Sequence, residues 1–380
     1  MHTAIRYPPA LGGVESYVAD LCQGLHRQGH EVRVYTSDLA QHQRALRLPA
    51  EVPRRANRGV RVRRLPALYL PGIAGHPLLP ALPKLLLRAP ADVIHGHCFY
   101  YCTADFPAAV ARLRRVPFVL NPYFYLIPTA KWEAYRRTVG RLTMRADVTV
   151  VISPFEQRLI EQAGFRVRRF EQVPPAVDAP AFAGPRDAAF LARFGLDGCR
   201  HQIVLFVGRV SRDKGIDLLI AAAQTVVRAA PEARFLIVGP DWGDRAEFER
   251  AVEAAGLREV FVFTGALNAA DLRRAYRSAD LMAFPSRYEA FGIVMIEAMA
   301  AGVPVVATNA SAIPCVVDHG ATGLLFAPED AGELAAHLVT LLRDPALRAR
   351  MGRTAAAHVA AEYSPAQQIR RLEAIYQSLV

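Results

Sequence analysis

Glu289 and Glu297 stand eight positions apart in the stretch 285–302, PSRYEAFGIVMIEAMAAG, with Gly292 between them. The apolar run 280–284, DLMAF, reads as a strand, followed by a short loop into a helix with Gly292 in its first turn. The start of a helix presents unpaired N–H groups and a partial positive charge, so an anion over Phe291, Gly292 and Ile293 is stabilised. Gly292 lets such an anion approach the backbone. If the segment is helical throughout, the two carboxylates lie roughly 12 Å apart along the axis. That suits opposite ends of one elongated ligand whose negative charge sits in the middle. It does not suit an acid/base pair acting on one bond, which needs carboxyl groups about 5–9 Å apart.

Cations for the same anion stand earlier in the chain. The phrase FVGRVSRDKGI at 206–216 leaves an apolar strand and puts Arg209 and Lys214 on a glycine-bounded loop. Of 46 basic residues only Lys84, Lys131 and Lys214 are lysine, so a lysine here suggests a requirement beyond charge. Neither Walker A nor G-x-G-x-x-G is present, which argues against a P-loop ATPase and a dinucleotide dehydrogenase. Gly12 and Gly13 precede a helix and form a natural phosphate-approach loop. The alternating segment DVIHGHC at 92–98 reads as a strand ending at His97. Ligands of doubly wound sheets sit beyond the carboxyl ends of strands, where His97 falls, while His95 faces the core. A zinc cluster of His95, His97, Cys98 and Cys102 matches no standard spacing. No D-x-D pair occurs anywhere, so no metal site is expected.

The phrase from Glu289 to Glu297, with Pro285-Ser286 before it and AMAAGVPVV after it, resembles the E-x7-E signature of retaining GT-B glycosyltransferases of glycosyltransferase family 4. The 206–216 phrase resembles that family's GR-x4-KG motif, and the resemblance extends over nearly the whole chain. It implies an α/β fold of the GT-B type, two Rossmann-like doubly wound parallel-sheet domains facing a central cleft. It implies a hexosyltransferase that moves a sugar from a nucleoside-diphosphate sugar to a glycan, lipid-linked or small-molecule hydroxyl, with retention. Arg209 and Lys214 then bind the diphosphate, together with Gly12 and Gly13. Glu297 holds the ribose. Glu289, with the amides of Phe291, Gly292 and Ile293, holds the sugar and phosphate. His97 orients the sugar near its reacting carbon. Many relatives carry a histidine near Tyr123, so Asn121, Tyr123 and Tyr125 read as acceptor-side variation. The leaving diphosphate is compensated by cations and amides, so transfer is expected without metal or cofactor. A catalytically inactive nucleotide-sugar-binding protein, a nucleotide-sugar epimerase and a glycan phosphorylase are the alternatives.

A chain of 380 residues calls for two domains. Strand–helix alternation runs from residue 2 to about 175, and a proline- and glycine-rich linker occupies about 174–202. Alternation resumes with strands at 203–207, 234–238, 260–263, 280–284, 304–307 and 323–326. The domains are therefore expected at 1–175, the acceptor side, and 176–363, the nucleotide-sugar side. Family resemblance implies that the last helix, about 364–380, crosses back onto the first domain. The first strand, 2–6, is shorter than in the family, which leaves a start upstream of Met1 or a stubby central strand. Residues 132–145 read as one helix, and prolines 71, 77, 80 and 83 confine helix in 65–90 to 85–88 with at most the preceding turn.

Composition excludes several classes. With 52% hydrophobic and 21% charged residues the chain is globular, and no apolar run is long enough to span a membrane. No secretory leader is evident, and five scattered cysteines fit reduced thiols in a cytoplasm. The net charge of +11 concentrates at Arg44, Arg47, Arg54, Arg55, Arg58, Arg61, Arg63 and Arg64, with Glu51 alone opposing within that stretch. Such a patch suits peripheral contact with an anionic membrane surface. Nucleic acid is not expected, because no aromatic residues interleave with the charge.

Overall fold

The structure, a computed structural model, describes residues 1–10, 12–41, 45–53, 55–69, 76–127 and 129–380. The chain forms two compact units, one of Met1–Pro175 with Pro365–Val380 and one of Ala176–Ser364.

The first unit is built on ten strands: β1 (His2–Ala4), β2 (Arg33–Ser37), β3 (Leu39–Gln41), β4 (Leu46–Arg47), β5 (Arg55–Arg58), β6 (Val60–Leu65), β7 (Ile94–His97), β8 (Phe118–Asn121), β9 (Val148–Val151) and β10 (Phe170–Gln172). Eight of them make one sheet in the order β10-β9-β8-β7-β1-β2-β6-β5, parallel except for the β5–β6 pair, and β3 with β4 forms a small antiparallel hairpin. The chain runs outward from β1 to β2 on one side and from β7 to β10 on the other. A topological switch point therefore lies between β1 and β7, where doubly wound sheets take their ligands. The helix Pro365–Gln377 packs on the helix Gly13–Arg27 of this unit.

The second unit carries β11 (Gln202–Val207), β12 (Ala233–Val238), β13 (Phe261–Gly265), β14 (Leu281–Phe284), β15 (Val305–Thr308) and β16 (Gly323–Phe326). All six are parallel, in the order β13-β12-β11-β14-β15-β16. Helices cover both faces, so the central strands QIVLFV, LMAF and VVAT are apolar runs without alternation. Val204, Phe206, Phe235, Leu281 and Val306 meet Ile216, Leu219 and Leu338 in one core. The switch point lies between β11 and β14.

Several expectations are corrected. The supposed linker holds the short helices Ala179–Phe182 and Ala188–Ala192, whose Phe182, Phe190 and Leu191 are buried. The helix expected at 132–145 is two, Ala130–Arg137 and Val139–Thr143, broken at Thr138, whose φ of −115° and ψ of −101° are not helical. In the proline-rich stretch the helix is Leu82–Arg88, with Pro83 in its first turn, where a missing N–H costs nothing.

The arginine patch is also less free than its sequence window suggests. Arg61 pairs with Glu31 at 2.7 Å, Arg47 pairs with Asp38, and Arg64 is buried, donating to the carbonyls of Pro8 and Pro53. The sheet brings in two carboxylates from the flanks of β2, Glu31 and Asp38. Arg44, Arg54, Pro71 and the side chain of Arg58 lie outside the described residues. Among the described residues no helix is long and apolar enough to cross a membrane.

Candidate active site

In the second unit the loops leaving β11 and β14 meet over the switch point. Gly215, at φ +72°, ends the first loop, and a Cβ there would lie 1.9 Å from the carbonyl oxygen of Pro285 in the second. Only glycine allows that approach. The amide of Arg287 donates to the carbonyl of Asp213 at 3.0 Å and ties the loops together. Their contact delivers Lys214 onto Glu289, Nζ to Oε1 at 2.6 Å, with both side chains largely buried. Ser286 Oγ also donates to Glu289 Oε1, at 3.1 Å, and the Glu289 amide donates to Ser311 Oγ at 2.9 Å.

Arg209 stands beside this pair and is more exposed. Its guanidinium bonds Asp213 at 3.0 Å and lies over the indole of Trp242, 4.9 Å from the ring centroid. Trp242 comes from the loop after β12, and the sequence reading missed it. Its only signal was being one of two tryptophans.

The helix after this loop is Ile293–Ala300, and Gly292 is its N-cap at φ +88° with no side chain to satisfy the first amides. Glu289 therefore lies outside the helix, and the supposition of one continuous helix from Glu289 to Glu297 is corrected. A left-handed residue cannot continue the preceding backbone into a helix, so the turn begins only at Ile293. Phe291 is buried edge-on against Tyr363. Glu297 accepts the hydroxyl of buried Tyr276 at 2.7 Å, and burial raises its pKa while that bond lowers it. Tyr276 was not found from sequence, since nothing in AADLRRAYRS marks it as a carboxylate partner.

In the first unit, Gly12 and Gly13 open the helix Gly13–Arg27, and the seat beside them is occupied. Glu15 is 3% exposed, pairs with Arg6 at 2.5 Å, and puts Oε2 2.0 Å from where a Gly12 Cβ would be. Burial raises the Glu15 carboxyl and Arg6 opposes the rise. The amino end of this helix thus already holds a carboxylate, with Arg6 also bound to the carbonyl of Ala40. Neither Arg6 nor Glu15 was anticipated, because their meeting depends on the chain reversing at the glycines.

At the ends of β1 and β7, three imidazoles converge: the ligand nitrogens of His2, His95 and His97 lie within 4.8 Å of one another. The cysteines imagined beside them are elsewhere, Cys102 Sγ donating to the carbonyl of Pro77. His2 enters instead, because β1 and β7 pair with His2 opposite His95. The protons of this cluster can be assigned. Asn121 Nδ2 donates to the carbonyl of Val150 at 2.8 Å, so its Oδ1 accepts from His95 Nε2 at 2.8 Å. His95 Nδ1 then accepts the hydroxyl of Tyr376 at 2.6 Å, and Tyr376 accepts from His2 Nε2 at 3.3 Å. His2 Nδ1 accepts from His97 Nε2 at 3.1 Å, and His97 Nδ1 accepts from Tyr123 at 2.9 Å. Every ring nitrogen has a hydrogen-bond partner. Burial holds all three imidazoles below their usual range, His95 at about 3, so they are neutral.

His97 is consequently wholly buried with both nitrogens engaged, and a direct contact with a ligand would require it to release Tyr123 or His2. Asn121 is also buried and faces the imidazoles. Tyr123 carries the chain's end and Tyr125 is exposed. Cys98, Tyr100 and Tyr123 all adopt positive φ, at 70°, 72° and 46°. Such strain in side-chain-bearing residues collects at functional sites.

Comparison with known proteins bears on the family and the fold. Residues 199–358 match the family of glycosyl transferases group 1, and residues 12–176 match the glycosyl transferase 4-like domain. The chain is 30% identical to a D-inositol 3-phosphate glycosyltransferase of Arthrobacter sp. (strain FB24), over 94% of this chain and 89% of that one. It is also 30% identical to an alpha-D-kanosaminyltransferase of Streptomyces kanamyceticus, over 87% and 93%. Sucrose-phosphate synthase from Thermosynechococcus elongatus superposes with a TM-score of 0.80 at 25% identity, covering 99% of this chain and 98% of that one. HepE from Anabaena, solved with UDP and glucose, superposes at 0.79 and 22% identity over 100% and 99%. With relatives of that identity along nearly its whole length, and two parallel sheets of this topology, the chain belongs to the glycosyl transferases group 1 family and is a glycosyltransferase of the GT-B fold.

Proposed function

We propose that this glycosyltransferase moves a hexosyl group from a nucleoside-diphosphate sugar to a hydroxyl of a glycan, lipid-linked or small-molecule acceptor, with retention and without a metal. The observation that carries the reading is the meeting of Lys214 and Glu289 at the switch point of the second sheet, with Arg209 alongside. An ion pair there keeps a cation poised in a partly buried site. A diphosphate, carrying more charge than one carboxylate, draws Lys214 and Arg209 to itself and frees Glu289 to accept sugar hydroxyls. The uncapped amides after Gly292 add donors for the same anion. Glu297, with Tyr276 on one oxygen, keeps its other oxygen for ribose hydroxyls. The second unit is thus the donor domain, and the first takes the acceptor.

In the first unit Tyr123 and Tyr125 are the groups offered to an acceptor. His97 acts as a positioning residue, orienting the Tyr123 hydroxyl. A nucleotide-sugar donor is consistent with HepE, whose structures contain UDP and UDP-glucose. The reading assigns the enzyme to the cytoplasm, in keeping with its five free thiols.

The test is a thermal-shift screen against UDP-, GDP- and ADP-sugars, followed by mass-spectrometric detection of transfer. A matching donor at 100 times its dissociation constant adds about 2.7 kcal/mol of stability. A protein that binds a donor yet neither transfers nor hydrolyses it with any acceptor is a binding protein, and the proposal fails.

A further inference from the structure

A cavity of about 370 Å³ opens on the first unit at the amino ends of β8 and β9, the edge of the sheet opposite the switch-point loops. Strands of four residues put about 13 Å between the two edges. Its walls include Arg112, Arg115, Arg145 and Arg168 against one carboxylate, Asp147. That carboxylate is spent: Oδ1 accepts from Arg168 at 2.6 Å and Oδ2 from the amide of Phe118 at 2.9 Å. Among the described residues the guanidinium groups of Arg112, Arg115 and Arg145 have no acceptor. Three uncompensated cations around one concavity repel one another, and a multiply charged anion relieves that repulsion.

The ordinary use of arginine at this point is to cap the carboxyl end of a helix, here Cys102–Arg114. That end is already capped by backbone, the Arg115 amide reaching the carbonyls of Ala111 and Arg112 and the Val116 amide that of Ala111. Arg115 makes its contact in the left-handed conformation, φ 57°, which glycine adopts freely and arginine does not. Helix capping therefore does not account for arginine at this position.

We propose that this cavity binds a phosphate-bearing group, distinct from anything held by the donor loops and independent of the function proposed above. Guanidinium forks match phosphate oxygens two at a time, and the volume suits a small phosphate ester. Leu142 lines the cavity and is 52% exposed, so the ligand's body meets an apolar wall beside the charges. That chemistry is shared by a soluble phosphate ester and by the headgroup of an anionic lipid.

The experiment uses the full chain and two probes, glycerol 3-phosphate in solution by calorimetry and phosphatidylglycerol–phosphatidylcholine vesicles by co-sedimentation. The wild type is expected to bind one of them saturably. The variant Arg112→Gln/Arg115→Gln/Arg145→Gln is expected to bind at least tenfold more weakly, and Arg209→Ala/Lys214→Ala to bind as the wild type does. Binding of glycerol 3-phosphate marks a soluble ligand, and binding of vesicles alone marks a lipid headgroup. Should the triple variant not fold, Arg145→Gln alone is expected to weaken binding roughly tenfold. Wild-type protein that binds neither probe, or cavity variants that bind as well as wild type, overturns the proposal.

Discussion

Lys214 Nζ lies 2.6 Å from Glu289 Oε1, although 75 positions separate the two residues. The contact exists because β14 pairs with β11 and not with β13, the strand before it in sequence. Each residue leaves the carboxyl end of its strand, so neighbouring strands deliver them to one point.

Removing either member of this pair tests the proposed donor site. Lys214→Ala is expected to lower kcat/KM by about 10²–10³, the size of effect seen when one donor to a developing negative charge is lost. Glu289→Ala is expected to fall in the same range. The double variant should lose less than the product of the two, because the residues act on one ligand and on each other. Steady-state kinetics on the three variants gives the answer.

Trp242 should report donor binding. Arg209 is held by an exposed cation–π contact, about 0.5–1 kcal/mol, and an exposed ion pair with Asp213, about 0.2–1 kcal/mol. A diphosphate outcompetes both and draws the guanidinium off the indole. In a Trp132→Phe background, titration with donor is expected to change Trp242 fluorescence saturably, and Arg209→Ala to abolish the change.

Turnover is expected to be indifferent to chelation. The cationic groups beside Glu289 are side chains, and the sequence has no D-x-D pair to hold a divalent ion. Activity assayed in EDTA should equal activity in manganese within error. Loss in EDTA with recovery on manganese would contradict the proposed mechanism.

Glu156 sets a pH dependence of stability. It stands in the first turn of the helix Pro154–Gln162, its carboxyl accepting from the amide of Ile152, just before the N-cap Ser153, at 2.8 Å and from the amide of Phe124 in the aromatic loop at 2.7 Å. Burial pushes its carboxyl up to about 7 despite those amides. The folded state therefore holds this proton more tightly than the unfolded chain. Its contribution is complete below about pH 4 and disappears as the pH rises through about 7, at most about 3 kcal/mol. Urea unfolding of the wild type should weaken between about pH 5 and pH 8, and Glu156→Gln should flatten that slope.

The strands of the second unit were legible in the chain because both their faces are covered. A strand with no wet side needs no polar residue, so runs such as IVLFV and LMAF stand out. The helix after Glu289 was legible in kind but not in its start, because a glycine is compatible with a helical first turn as well as with the left-handed turn that Gly292 makes, and residue type alone does not choose between them. The split at Thr138 and the short helices of the supposed linker were hidden for a similar reason. They are set by what the segments pack on.

The amino-acid sequence by itself singled out Arg209, Lys214, Glu289 and Glu297 as candidate site residues and placed them after strand ends. Motif and periodicity are local, and both can be read one segment at a time. Only tertiary structure decided whom each residue meets. Strand order brings Lys214 to Glu289 and sets His2 against His95, the reversal at Gly12 seats Glu15 on Arg6, and burial decides that His97 faces Tyr123 and His2. These partnerships depend on which strands lie side by side, and no window of residues contains that information.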